Sequence, residues 1–377
     1  TAARGGTGIE IELDKVPQRG PGMSPYEIML SESQERMLII VHKGREDEVK
    51  RIFDKWDLPS AEIGFVTDTG QMGVIHHREV VADLPAAKLA DEAPIYHREA
   101  TEPEYLKETR GLDLHSIQDT TDVEGDLHAL MAWPTIASKN WVYRQYDYTV
   151  RNGTMVHPGS DAAVIRVKPD SLPVLSEDSP NRDVIPPEKY LAMSVDGNGA
   201  YVYLDPYEGG KIAVAEAARN LACSGAVPLG TTDNLNFGNP HNPELFWQLK
   251  EAVRGLADAC THFEAPVTGG NVSLYNQNPK GAIDPTPTVA MVGLIEDPSH
   301  ITTQWFKNEG DVILLIGESL DSEDPYQGLG GSAYLKVRHG LKKGLPPRCD
   351  LTVEKNIHNA LRGWIAQGAI QSAHDCS

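Results

Sequence analysis

The sequence lacks the cysteine pattern and the long apolar runs that mark secreted or membrane proteins. Its 377 residues include four cysteines, and none of them forms a C-x-x-C pair. A disulfide framework or a cysteine-ligated zinc site is therefore not expected. No apolar run approaches the roughly 20 residues that a membrane-spanning helix needs. Together with the lack of a visible signal peptide, this predicts a cytoplasmic protein without membrane contact.

Basic residues are also scarce. The chain has 34 lysines and arginines against 54 aspartates and glutamates, a formal net charge of −20. Nucleic-acid binding needs clustered cations, so this balance argues against a nucleic-acid partner. It leaves room for a bound nucleotide, because Mg²⁺ and backbone N–H groups can neutralise phosphates locally.

Several catalytic motifs are missing as well. There is no G-x-S-x-G nucleophile elbow, and the glycine loop Gly328–Ser332 lacks the Lys-Ser/Thr ending of a P-loop. His76 and His77 are neighbours, and neighbouring residues of a strand point to opposite faces. We therefore predict that these two histidines are surface or packing residues rather than ligands of one metal ion.

Two glycine-containing polar segments carry the strongest positive signal, residues 232–240 and 269–276. Asp233 and Asn271 offer the oxygen ligands that Mg²⁺ prefers, and the glycines let backbone approach phosphate closely. The helix predicted between the segments opens with Asn242-Pro243-Glu244, an N-cap followed by proline. The pattern predicts two strand-end loops beside one Mg-nucleotide site. The alternative is that the first segment is only a capped turn and the second only a hairpin-like turn.

A second set of oxygen donors is formed by Asp161, Glu216 and Asn220. Glu216 and Asn220 are spaced i, i+4 and so share one face of a predicted helix. Asp161 precedes a predicted strand of the same domain. The three side chains could hold Mg²⁺ or a phosphate group, and the alternative is a solvated helix edge.

Hydrophobic periodicity predicts a mixed α/β chain. Helices are predicted at 45–56, 211–224 and 243–260, a further helix breaks at Gly368, and residues 141–150 suit a helix. Residues 85–125 are expected to form a connector. Strands are predicted at 37–41, 63–65, 72–75, 163–167, 191–195, 201–204, 289–295 and 312–316.

Several long motifs carry a family resemblance. They are GMSPYEIMLSESQERM at 22–37, ASK at 137–139 with WVYRQYD at 141–147, YLDPYEGGK at 203–211, and the two polar segments. The chain closely resembles the synthetase subunits of phosphoribosylformylglycinamidine synthases of the small type. These belong to the aminoimidazole-ribonucleotide-synthetase-like proteins.

The resemblance implies an α+β fold of PurM-like domains, with amino-terminal-type and carboxy-terminal-type units in a pseudosymmetric repeat that is incomplete at both ends. Residues 1–96 would belong to the first carboxy-terminal-type domain and 97–126 to a connector. Residues 127–298 would form the second amino-terminal-type domain, and 301–377 would start the next carboxy-terminal-type domain. The chain is thus expected to be a fragment of a longer polypeptide.

The resemblance also implies a reaction. Formylglycinamide ribonucleotide, ATP and ammonia would give formylglycinamidine ribonucleotide, ADP and phosphate, with ATP and Mg²⁺ as cofactors. A glutaminase subunit would supply the ammonia, and a small bridging subunit would complete the assembly. The catalytic histidine would lie in the missing amino-terminal quarter. No catalytic residue is therefore expected in this chain, which we expect to be inactive alone.

Site residues are carried across motif by motif. Glu32, Ser33, Gln34 and Ser273 resemble substrate contacts, Asp233 and Gly270 resemble ATP-binding positions, and Asn271 resembles a Mg²⁺ ligand. Asp161, Glu216 and Asn220 match the metal ligands of an auxiliary nucleotide site in the large form of the enzyme. One departure is Ala200, where the family has an arginine.

Two other hypotheses remain open at this point. The chain could be a pseudo-catalytic scaffold that binds nucleotide structurally and docks partner subunits. It could also belong to another ATP-using member of the superfamily, such as aminoimidazole ribonucleotide synthetase, although the segments at 32–34 and 141–147 argue against this.

Overall fold

The structure is a computed structural model that describes residues 1–32, 36–169, 187–317 and 324–377. The chain divides into two compact units, Thr1–His97 and Arg98–Ser377. Each unit is described by itself.

The first unit is built on a four-stranded sheet of order β2-β1-β3-β4. β1 runs parallel to β3, and the β1–β2 and β3–β4 pairs are antiparallel. Leu13, Ile28 and Val74 form its buried apolar core. The strands are β1 (Gly8–Glu12), β2 (Gly64–Thr67), β3 (Gln71–His76) and β4 (Glu79–Pro85), and the helices are α1 (Ala2–Gly5), α2 (Pro25–Leu30) and α3 (Glu46–Lys55).

The second unit contains longer helices and a larger sheet. Its helices are α4 (Tyr105–Thr109), α5 (Val123–Met131), α6 (Asn140–Tyr143), α7 (Gly199–Leu204), α8 (Pro206–Cys223), α9 (Pro243–His262), α10 (Ala333–His339) and α11 (Leu351–Ala366). Its strands are β5 (Thr154–Val156), β6 (Ala163–Val167), β7 (Lys189–Asp196), β8 (Val227–Asn236), β9 (Val267–Ser273), β10 (Gln277–Asn278), β11 (Gly281–Ala282) and β12 (Thr286–Ile295). Short 3₁₀ helices lie at Leu114–Ser116, Val150–Asn152 and Pro298–His300, and in the first unit at Leu13–Lys15 and Ala86–Leu89.

A six-stranded sheet of order β5-β6-β7-β12-β8-β9 organises this unit. β8 and β9 run parallel and are joined through α9, whereas the other neighbouring pairs are antiparallel. Alternate residues of β12 are buried, which shows that one face of the sheet is covered and the other is more open. α8 packs on the covered face, against β7 and β12.

Glycines let α8 and α9 approach each other closely. A Cβ at Gly210 would lie 2.5 Å from the carbonyl oxygen of Ala252, and one at Gly255 would lie 2.1 Å from that of Tyr207. Both helices start at well-formed caps. Asp205 accepts from the N–H of Glu208 at 3.0 Å, and each helix has proline at its first position.

Most of the predicted elements of regular structure are confirmed. α3, α8, α9 and α11 follow the predicted helices, and β2, β3, β6, β7 and β12 follow predicted strands. Of the predicted helix over 141–150, only the short α6 forms. β1 and β4 were not predicted.

Three predicted strands are wrong. Residues 201–204 belong to α7, which Asn198 caps by accepting from the N–H groups of Ala200 and Tyr201 at 3.0 and 3.2 Å. The apolar runs 37–41 and 312–316 join no sheet within the described residues. Leu315, for example, is 87% exposed. The apolar runs therefore predicted strands wrongly for two reasons. One segment is capped as a helix, and the other two have no neighbouring strand to pair with among the described residues.

Among the described helices, none combines the length and the apolar character that crossing a bilayer would require.

Candidate functional site

Polar residues of β8 and β9 lie side by side on the open face of the six-stranded sheet. In the parallel register Asn234 pairs with Asn271, and Asn236 pairs with Ser273. The Nδ2 of Asn271 lies 3.4 Å from the Oδ1 of Asn234. The two predicted segments are therefore brought together. The prediction of strand-end loops is wrong, however, because Asp233 and Asn271 lie within strands.

Asp233 points to the opposite face from Asn271. Successive strand residues alternate, and Asp233 shares its face with the buried Thr231 and Leu235. Its register partner is Gly270. Burial raises the pKa of the Asp233 carboxyl above its ordinary value. Asp233 and Asn271 consequently cannot hold one ion together through their side chains, as adjacent loop ligands would.

The turn after β9 is fixed by the amide of Asn276. Its Nδ2 donates to the carbonyl oxygens of Ser273 and Phe237 at 2.8 and 3.2 Å, and lies 3.1 Å from the Oγ of Ser273. The Asn242 cap is present as predicted, with its Oδ1 accepting from the N–H of Glu244 at 2.9 Å. Side-chain hydrogen bonds thus fix the conformation of the chain at the end of β9 and at the start of α9.

The second set of predicted donors lies beside the covered face, around α8. Glu216 and Asn220 are one turn apart on this helix, as predicted. The Nδ2 of Asn220 donates to the Oδ1 of Asp196, at the end of β7, at 2.9 Å. Asp161 lies before β6, and its Oδ1 accepts from the N–H of Asp375 at 3.1 Å.

Carboxylates crowd this cluster. Burial, together with the charges of Asp196 and Asp375, raises the pKa of Glu216 to about 7. Burial also raises the pKa of Asp196 to about 6. Arg219 offsets part of this negative charge, because its Nη1 lies 3.2 Å from the Oδ2 of Asp375.

The cluster leaves acceptors unsatisfied. Within the described residues, the Oδ2 atoms of Asp161 and Asp196 are buried and have no hydrogen-bond partner. Burying a carboxylate oxygen without a partner costs free energy. Such oxygens are the ligands that hard divalent cations prefer. The residues present therefore fit a Mg²⁺ ion.

Sequence reasoning missed Asp196, Asp375 and Arg219 in this cluster. Asp196 directly follows the predicted strand 191–195 and precedes a glycine-containing turn, and an acidic residue at a strand end could have indicated a ligand. Asp375 lies 214 positions from Asp161 in the sequence, and no local pattern could have joined the two. His374 completes the group, with its Nδ1 2.8 Å from the Oδ1 of Asp161.

Comparison with known families accounts for both units. The AIR synthase related protein C-terminal domain matches residues 1–77, and the N-terminal domain of the same family matches residues 159–295. Both matched stretches are thus domains of the AIR synthase related type. The predicted mixed α/β, PurM-like fold is confirmed.

Curated relatives match the whole chain. The phosphoribosylformylglycinamidine synthase subunit PurL of Thermoanaerobacter sp. (strain X514) is 48% identical over 376 residues, which is 100% of this chain and 48% of the relative. The PurL subunit of Moorella thermoacetica is 49% identical over the same extent. The chain thus spans about half the length of the curated relatives it matches.

Solved structures agree with this. T. maritima PurL complexed with ATP has a TM-score of 0.57 and 27% identity, covering 80% of this chain and 44% of that one. T. maritima PurL complexed with FGAR has a TM-score of 0.61 and 24% identity, covering 97% and 49%, and so shows the fold alone. The structure of PurLQS from Thermotoga maritima has a TM-score of 0.57 and 25% identity, covering 86% and 48%.

The remaining predicted site residues lie in the first unit or at a cap. Glu32 is exposed and follows the end of α2, whereas Ser33 and Gln34 lie outside the described residues. Ala200 occupies the first turn of α7. Its methyl group provides no cation at that position.

Proposed function

We propose that this chain is part of the synthetase subunit of a phosphoribosylformylglycinamidine synthase. In that reaction ATP phosphorylates the amide oxygen of formylglycinamide ribonucleotide, and ammonia displaces the phosphate. The products are formylglycinamidine ribonucleotide, ADP and phosphate. The observation that carries the proposal is 48% identity to a PurL subunit across 100% of the chain.

The open face of β8 and β9 supports a role in holding nucleotide and substrate. The Asn234–Asn271 row offers amide oxygens, and we propose Asn271 as the Mg²⁺ ligand and Ser273 as a substrate contact. Mg²⁺ would neutralise phosphate charge as the γ-phosphate is transferred. The residues of this chain would position the reactants for the transfer.

Asp233 and Gly270 are proposed as the ATP-binding pair. β9 is an edge strand of the six-stranded sheet, and no described strand pairs with its outer side. Gly270 has no side chain of its own, so a phosphate could approach its backbone N–H from the side away from the Asp233 carboxylate. Asp233 would contribute indirectly, by fixing the position of Gly270 opposite it in the sheet. Glu32, Ser33 and Gln34 are the proposed substrate contacts of the first unit.

The domain assignment is part of the proposal. Residues 1–96, 127–298 and 301–377 would be carboxy-terminal-type, amino-terminal-type and carboxy-terminal-type domains, with 97–126 as the connector. ATP and Mg²⁺ would be the cofactors. A glutaminase subunit and a small bridging subunit would be the partners, in the cytoplasm.

A specific observation favours a second role for the α8 cluster. The orphaned oxygens of Asp161 and Asp196 support a structural Mg²⁺–nucleotide site held by Asp161, Glu216 and Asn220. This site would stabilise the chain as a scaffold rather than take part in turnover.

The test uses a chimera in which this chain replaces the matched half of the Moorella thermoacetica relative. Ammonia-dependent ADP release is measured with and without formylglycinamide ribonucleotide. We expect ADP release that requires both the ribonucleotide and ammonia. ATP hydrolysis by a folded chimera that is indifferent to the ribonucleotide would refute the proposed function.

A further inference from the structure

Two histidines and an aspartate converge at one corner of the first unit. The Nδ1 of His77 lies 2.8 Å from the Oδ1 of Asp14, and the Nδ1 of His76 lies 3.3 Å from the same oxygen. The three donor atoms all lie within 4.8 Å of one another. The prediction that these histidines face apart is therefore wrong.

The backbone explains why they meet. His76 and Glu79 are register partners, so His77 and Arg78 form a two-residue hairpin loop between β3 and β4. Both loop residues have positive φ, 51° and 65°, as in a type I′ turn. The alternation of a strand stops at this turn. The rings of His76 and His77 consequently lie on the same side, with centroids 3.8 Å apart.

The position of Asp14 follows from the parallel pairing of β1 with β3. Glu12 is the register partner of Ile75, so the residues just beyond β1 run alongside the end of β3. Asp14 lies there, in the 3₁₀ helix Leu13–Lys15. Its Oδ2 accepts from the backbone N–H of His77 at 2.8 Å. This bond directs the other oxygen, Oδ1, to the two imidazoles.

Hydrogen bonding alone leaves the cluster incomplete. The Nδ1 of His76 is buried and, within the described part of the chain, has no hydrogen-bond partner despite its closeness to Asp14. Its side chain is only 12% exposed. Leaving a buried ring nitrogen unpaired costs free energy. A metal ion would satisfy both neutral imidazoles and the carboxylate at once.

We propose that Asp14, His76 and His77 form a binding site for a divalent first-row transition-metal ion of the Zn²⁺ type. Two imidazoles and a carboxylate suit such ions, whereas Mg²⁺ and Ca²⁺ take oxygen ligands. Tetrahedral ligands of Zn²⁺ lie about 3.4 Å apart. The 3.3 Å between the Nδ1 of His76 and the Oδ1 of Asp14 is close to this separation, whereas the 2.8 Å between the Nδ1 of His77 and the same oxygen would have to lengthen on binding. Bound metal would fasten the β3–β4 hairpin to the end of β1.

Isothermal titration of the chelator-stripped full chain with ZnCl₂ tests the proposal. Background sites are reduced by Cys376→Ser, since that thiol is exposed, and by His374→Ala, which removes a second His–Asp cluster. In this background we compare His77→Ala with His42→Ala, a change at an exposed histidine of the same unit. We expect His77→Ala to lose one Zn²⁺ equivalent or to bind it at least ~10-fold more weakly.

Asp14→Asn is a second variant that keeps an oxygen able to accept from the His77 N–H. It guards against a loss of binding that only reflects a broken turn, and it should also weaken Zn²⁺ binding. Co²⁺ gives an independent readout. The absorption bands of four-coordinate Co²⁺ should appear with His42→Ala and disappear with His77→Ala or Asp14→Asn. Equal stoichiometry and affinity in His77→Ala and His42→Ala would overturn the proposal.

Discussion

Asp233 and Gly270 are register partners across β8 and β9, and the carboxylate of Asp233 lies over the glycine. A Cβ added at Gly270 would stand 2.4 Å from the Oδ1 of Asp233 and 2.7 Å from its carbonyl oxygen. The second contact is with backbone, so side-chain rotation alone cannot relieve it. Residue 270 is therefore restricted to glycine by its neighbour.

Gly270→Ala is expected to destabilise the chain by about 1–3 kcal/mol, since the strands must separate to admit the methyl group. Gly269→Ala is a matched control, because a Cβ there meets no atom within 4 Å. Urea unfolding followed by circular dichroism measures both. Equal unfolding free energies in the two variants would contradict the predicted clash.

Asn271→Ala is expected to weaken Mg²⁺-dependent ATP binding by the chimera at least ~10-fold, because an oxygen ligand of the cation is lost. Asn356→Ala, on the exposed side of α11, serves as the control and should bind like the unchanged chimera. Titration with ATP in the presence and absence of Mg²⁺ measures the effect. If Asn271→Ala keeps its Mg²⁺ dependence, Asn271 is not the ligand.

Glu216 makes the stability of the chain depend on pH. Its pKa rises from an ordinary 4.5 to about 7 on folding, so the folded chain holds the proton more tightly than the unfolded chain. The stabilisation is complete below the pKa of Glu216 in the unfolded chain and is lost as the pH rises through its pKa in the folded chain. The stability of the wild-type chain should therefore fall between about pH 5 and about pH 8, and the stability of Glu216→Gln should fall less over the same range.

Glu124→Gln is the control for this pH dependence, because Glu124 is 90% exposed and should leave the wild-type slope unchanged. Added Mg²⁺ should restore stability near pH 8 in the wild-type chain more than in Glu216→Gln, since a bound cation compensates the buried charge. Thermal melts across the pH range provide the measurement. If the melting temperatures of wild type and Glu216→Gln changed in parallel with pH, Glu216 would not be the source of the pH dependence.

Arg219 links α8 to α11 and to the chain beyond it. Its Nε and Nη2 lie 3.1 and 3.2 Å from the carboxylate of Glu354, and its Nη1 contacts Asp375. Arg219→Ala should cost about 2–3 kcal/mol of unfolding free energy, because two largely buried carboxylates lose their cationic partner. Lys107→Ala breaks an exposed pair with Glu104 and should cost below about 1 kcal/mol. Comparable losses would mean that the network is solvated.

The sequence predicted the long helices correctly but not every strand. In α8 and α9 the cap, the proline and the continuous apolar stripe all indicate a helix. Residues 201–204 alternate tyrosine with aliphatic residues and look like a strand. Val202 and Leu204 are both fully buried, yet the Asn198 cap makes the segment helical.

The candidate site could be predicted only where its residues are local in sequence. Glu216 and Asn220 share a helix turn, and the two polar segments flank one helix. The opposite orientation of Asp233 and Asn271 could not be foreseen, because loops carry no fixed alternation and strands do. The Asp14 cluster depended on a left-handed turn at His77 and Arg78, for which glycine or asparagine is the usual signal.

In the second half of β8, alternate side chains point to opposite faces of the sheet. Thr231, Asp233 and Leu235 face the covered side of the sheet, whereas Asn234 and Asn236 face outward. Substitutions at Asn234 and Asn236 would therefore change the outward surface of the sheet while the inward residues keep their packing.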